Sequence, residues 1–146
     1  MKLGELIQQV REIVPYNPDL PIKGLSSEKC FVDIEIKKEG LENKKFQLVK
    51  KDQFCYGAGH LCNFGRNILI AHNEIKRDLA LSTTYTVFEI INSKILLPKY
   101  LMIWFSRDKF NYLVHWFAQG SHLELFSWQN LCNLPIRVPP PASKKN

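Results

Sequence analysis

The sequence predicts an α+β fold, in which a mainly antiparallel, twisted sheet is packed by an N-terminal helix and a C-terminal helical region. Three observations predict it. Leu3, Leu6, Ile7, Val10 and Ile13 recur at helical spacing. The middle of the chain breaks into short alternating or β-branched runs separated by polar, glycine-bearing turns. Two apolar stripes, Tyr100/Leu101/Trp104/Phe105 and Phe110/Leu113/Val114/Phe117, then restore the helical period. Short strands followed by helices, without regular βαβ alternation, give the α+β class.

Taken in order, residues 3–14 read as an amphipathic helix stopped by Pro15, and 16–21 (YNPDLP) as a proline-punctuated connection. In 31–37, Val32, Ile34 and Ile36 alternate with Asp33, Glu35 and Lys37, the period of a half-buried strand. Residues 46–49, 53–56, 67–71 and 82–91 are further strands, with turns over 38–45, 57–66 and 72–78. Pro98 suits a first helical turn. From there one bent helix or two in succession run to a stop near Gly120. Ser127 is placed to cap a short helix through Cys132, and 134–138 is a last extended piece. Trp104 and Phe105 are read as core. Residues 1–138 are expected to form a single domain and 139–146 a proline-rich, basic tail.

A chain of 146 residues is long enough for a real core, since a domain of that size buries roughly 68–70% of its unfolded surface. No apolar run approaches the ~18 residues of a membrane span, and the start of the chain has no signal-type apolar core. A cytoplasmic protein with reduced, mostly buried thiols at Cys30, Cys55, Cys62 and Cys132 is therefore expected. The net charge of +6 admits nucleic acid, anionic lipid or an acidic partner without choosing among them.

Three constellations bear on chemistry. Asp19 with Glu35-x-Lys37 outlines a Mg²⁺-dependent nuclease core, in which two carboxylates hold the metal and a lysine positions water; the same residues also read as the wet face of a strand. Cys55, His60, Cys62 and His72 are zinc-type ligands, but the spacing lacks the usual C-x₂₋₄-C pair. The third is a set of polar loops: Lys44, Lys45, Lys50 and Lys51 around one strand, His60, Asn63 and Arg66 in the glycine-rich 57–66 loop, and Lys76 and Arg77 in the next turn. Lysine and arginine neutralise phosphates, while Arg, Asn and His can bond base edges. Methyltransferase, phosphate-loop and nucleophile-elbow signatures do not occur.

A string of phrases carries more information than any of these. Residues 22–29 (IKGLSSEK), 82–89 (STTYTVFE), and 97–102 (LPKYLM) followed by Trp104, Phe105 and Arg107 are joined by Gly120-Ser121, Phe126-Ser127-Trp128, Leu134-Pro135-Ile136 and Pro139-Pro140. In order and spacing this series resembles the target-recognition domains of type I restriction-modification specificity subunits, over nearly the whole chain. The resemblance implies a target-recognition-domain fold that reads one half of a bipartite site in double-stranded DNA. It implies methyltransferase subunits, and through them restriction subunits, as partners, with self-association or pairing with a second recognition domain. Catalysis would reside in those partners, so no catalytic residue, metal or cofactor is expected in this chain. By position, Ser121 and His122 join the loop residues above as candidate DNA contacts. Two departures stand out. Leu123 replaces the arginine that commonly follows the Gly-Ser, with Glu124 beside it, and the proline pair leads into PASKKN in place of a spacer helix. One recognition domain without its spacer is thus expected. The rival readings are a protein-interaction module, using the exposed faces of the first helix and of 100–117, and the Mg²⁺ nuclease.

Overall fold

The computed structural model describes residues 1–26, 28–36, 39–57, 68–118 and 127–138. Nine strands and three α-helices are formed by these residues: β1 (Ile7–Val10), β2 (Ile13–Pro15), β3 (Lys23–Leu25), β4 (Phe31–Asp33), β5 (Lys45–Val49), β6 (Phe54–Gly57), β7 (Leu69–His72), β8 (Leu79–Leu81), β9 (Thr86–Ile90), α1 (Pro98–Phe105), α2 (Asp108–Ala118) and α3 (Trp128–Asn133). All strand pairings are antiparallel, so the α+β class stands. The strands do not make one sheet. They form a four-stranded sheet in the order β1-β9-β6-β7, a three-stranded sheet β2-β5-β8, and a two-stranded ribbon β3-β4.

The four-stranded sheet is the middle layer because both of its faces are apolar. Along β6, Phe54 and Tyr56 face the helices, where Phe54 stacks on Phe88 at 5.2 Å and meets Phe105 edge-on at 5.8 Å. Leu101, Phe105, Phe110, Val114 and Leu131 close that core from α1, α2 and α3. Cys55, between the two aromatic residues, and Val87 point to the other side and pack with Val49, Leu79 and Leu81 of the three-stranded sheet. The outer side of that second sheet holds Phe46, Ala80 and Leu41, with Tyr16, Leu20 and Ile22 against them.

The N-terminal helix is not formed. Residues Leu3–Glu5 make a single 3₁₀ turn, in which the Glu5 carboxylate accepts from the Lys2 amide at 2.8 Å. The chain then runs as β1, with Ile7 opposite Ile90 and Val10 opposite Val87. The apolar residues at helical spacing are largely β-branched (Ile7, Val10, Ile13), and a twelve-residue helix has little stability of its own. A free edge on β9 therefore decides the outcome. Pro15 sits in β2, an edge strand where its missing N–H costs no ladder bond.

Other expectations are refined. The expected strand 31–37 ends at Asp33, and its alternation does not bury Val32 or Ile34, which are exposed. The strand expected over 82–91 begins at Thr86, because Ser82–Tyr85 forms a turn in which the Ser82 hydroxyl accepts from the Thr84 amide. Strands β3 and β8 were not anticipated. Two helices replace the single-bent-helix alternative, and Pro98 opens the first. Ser127 caps α3, its hydroxyl accepting from the Asn130 amide at 3.1 Å. Trp104 and Phe105 are core; of the thiols expected to be mostly buried, Cys55 is buried, Cys132 half-buried and Cys30 exposed, and Cys62 lies outside the described residues. The 134–138 segment joins the rest through a bridge between Lys2 and Pro135 and a bond from the Ile136 amide to the Met1 carbonyl. No helix among the described residues is long and apolar enough to cross a membrane.

Candidate nucleic-acid interface

Four of the predicted cations are brought together by two turns. Lys50 and Lys51 lie on the β5–β6 turn, and Lys76 and Arg77 on the β7–β8 turn. Because β6 pairs with β7 from Phe54–His72 to Gly57–Leu69, both turns emerge at the same end of that hairpin. Asn73, 1% exposed, lashes them to each other. Its side-chain amide donates to the Val49 carbonyl at 2.9 Å and the Arg77 carbonyl at 3.0 Å, while its oxygen accepts from the Ile75 amide at 3.2 Å. Its backbone accepts from the Asp52 amide at 2.7 Å and donates to the Gln53 carbonyl at 2.9 Å. A buried amide with every polar atom engaged fixes two otherwise independent loops in one geometry.

The cations are not equivalent. Lys50 pairs with Glu12 at 3.2 Å, with both side chains about half exposed. Arg77 is exposed and donates one N–H to the Asp19 carbonyl at 3.0 Å. Lys51 and Lys76 are exposed. Asp52, Glu74 and Asp78 lie on the same turns, so the field here is mixed in sign. Two of these carboxylates flank His72, a buried residue stacked on Phe54 at 4.6 Å: Nε2 lies 3.2 Å from Asp52, and Nδ1 lies 3.8 Å from Glu74 without a hydrogen bond.

The remaining candidates separate. Lys44 and Lys45 stand at the opposite end of β5 from Lys50, about 17 Å of extended chain away at ~3.4 Å per residue. Gly57 and Leu69 stand at the far end of the β6–β7 hairpin from the cation turns. The predicted contacts His60, Asn63, Arg66, Ser121 and His122, with Leu123 and Glu124, lie outside the described residues.

The two metal constellations are not assembled by the described residues. Phe54 pairs with His72, so His72 shares the face of Phe54, and Cys55 projects from the opposite face of the sheet. Those two cannot reach one ion; His60 and Cys62 are outside the described residues. Glu35 lies beyond the end of β4, off the strand position a nuclease core requires; Lys37 is also outside the described residues, and Asp33 is engaged by Lys23. Among the described residues no three His, Cys, Asp or Glu side chains gather as a metal site.

The sequence reading missed Asn73, although an Asn that bonds the backbone two residues on is a common turn former. It also missed Lys29, which has φ 63° and sends its ammonium to the Phe105 carbonyl and the Asn111 side chain, 5.1 Å from the Phe110 ring centre. Desolvation there pulls its pKa down to about 8, against the opposing pull of Asp108. No family model matches the chain, and no curated protein matches it.

Proposed function

We propose that this chain is a sequence-reading module for double-stranded DNA, a target-recognition domain serving one half of a split site in a type I restriction-modification assembly. The observation that carries the proposal is the pair of cation-bearing turns held side by side by Asn73. It is supported by the succession of family-like phrases along the chain. Lys51, Lys76 and Arg77 engage phosphates and set the register, and His60, Asn63, Arg66 and His122 have the side-chain chemistry that suits base edges. Methyl transfer and cleavage belong to the methyltransferase and restriction subunits that the module directs.

The test is duplex binding by fluorescence anisotropy across salt concentrations. Lys51→Gln and Lys76→Gln should each reduce the slope of log K against log[salt] by about one, with the melting temperature unchanged. Slopes unaltered by both variants would remove these turns from the interface.

A second reading is favoured by one observation. Ile103 on α1 and Tyr112 and Trp116 on α2 are 58%, 73% and 60% exposed. These would suit a protein-interaction module contacting a neighbouring subunit. Under that reading Tyr112→Ser abolishes co-purification with a methyltransferase subunit while the Lys51 and Lys76 variants have no effect on any ligand.

A further inference from the structure

A cavity of about 830 Å³ lies away from the cation turns, between the α1–α2 corner and the segment after α3. Its apolar lining includes Tyr100, Trp104, Leu113 and Ile136, and its charged residues are Arg107, Lys109 and Arg137. Among the described residues no carboxylate lines it and no ion pair engages any of the three cations. That volume falls within the ~300–1,000 Å³ range of small-molecule pockets. We propose that this cavity binds a free mononucleotide-class ligand, a phosphate monoester carrying a flat ring.

Each half of that ligand answers to a part of the site. A phosphate monoester carries roughly −1.5 to −2 charges at neutral pH, which matches three cations lining one cavity better than a monocarboxylate does. Two of the cations are arginines, whose planar forks bind phosphate oxygens in pairs. The ring rests against half-buried Tyr100 and the edge of Trp104, which is 8% exposed and packs on Phe110 at 5.2 Å. The walls are also fixed in position. The Tyr100 hydroxyl donates to the Arg137 carbonyl at 3.0 Å, and the Ile136 amide donates to the Met1 carbonyl at 2.9 Å. Arg107 lies in the corner between the helices, its carbonyl accepting from the Phe110 amide at 3.1 Å. Pre-formed walls remove the ordering cost that weakens binding to loose sites. None of the lining residues is a candidate duplex contact, so the inference stands independently of the DNA reading.

The experiment titrates the full chain with AMP at low salt, following Trp104 fluorescence in a Trp116→Phe/Trp128→Phe background and heat release in the unaltered chain. Saturable binding is expected, at least tenfold tighter than that of inorganic phosphate, and weakened at least tenfold in Arg107→Gln/Arg137→Gln. These substitutions are of exposed side chains, and circular dichroism confirms that the fold persists. A short DNA duplex added to the AMP complex should leave the AMP bound. The inference is overturned by no saturable binding at millimolar AMP, by equal affinity for inorganic phosphate, by indifference to the arginine changes, or by competitive displacement by duplex, which would make the cavity part of a DNA face.

Discussion

At the residue scale, Asn73 has the most concentrated role. Replacing it by Ala strips partners from the Val49 and Arg77 carbonyls and the Ile75 amide at once. With ~1–3 kcal/mol for an unsatisfied buried group, and partial hydration of the turn, Asn73→Ala should cost about 2–3 kcal/mol in urea denaturation. It should also weaken duplex binding beyond what either lysine substitution does alone, because both turns lose their common anchor. Lys29 gives a prediction in pH. Its folded pKa, about 8, lies below its ordinary value of 10.5. Between those values the unfolded chain binds more protons, so this residue's contribution to stability rises with pH from 8 to 10.5 and is lost as pH falls through 8. Burial raises the Cys55 thiol and, chiefly by desolvation, the Tyr56 hydroxyl, and both work in the opposite direction above their ordinary values of 9.0 and 10.0. Comparing urea unfolding of the unaltered chain and Lys29→Met isolates the lysine. The unaltered chain should gain on the variant between pH 7.5 and 10, and a constant difference would refute the assignment.

At the element scale, what the sequence made legible depended on whether a pattern had one structural meaning. Capping and proline signals did: the Ser127 hydroxyl accepts from the Asn130 amide, Pro98 brings a helical φ to the first turn, and both helices start where they are expected. Residues 46–49 and 53–56 are β-rich runs that also fill the centres of their sheets, so local preference and packing agreed. Residues 3–14 had two meanings. Their spacing suits a helix and their β-branching a strand, and only the edge of β9, some eighty residues onward, decides. Gln9 is exposed on β1, so it distinguishes the two without disturbing the core. Gln9→Thr should be stabilising or neutral and Gln9→Ala destabilising by a few tenths of a kcal/mol, within a β-propensity scale spanning about 1 kcal/mol. A helix would reverse that order. Gly4 offers a second probe of the same region. A Cβ there would lie 2.7 Å from the Cys132 Cβ, so Gly4→Ala should lower the melting temperature by forcing the 3₁₀ turn away from α3.

At the scale of the whole molecule, the helices and the second sheet sandwich the four-stranded sheet. Residue type along the chain picks out basic and polar loops, and sequence order does not tell which of them share an end. Lys50/Lys51 and Lys76/Arg77 fell together because β6 and β7 form a hairpin; Lys44 and Lys45 fell apart from them because a strand lies between. A module with two to four phosphate contacts should lose about ten- to hundredfold in affinity between 50 and 200 mM salt, from the slope of roughly −0.9 per contact. One half-site buries on the order of 600–1,000 Å², so the isolated chain should bind weakly, and joining two such modules should raise avidity steeply. The central claim is sequence reading, and selection of the purified chain on a randomised duplex library at low and moderate salt tests it most directly. The account predicts enrichment of a short motif of a few base pairs, lost as salt rises. Retention without any enriched motif, or no retention at low salt, would contradict it.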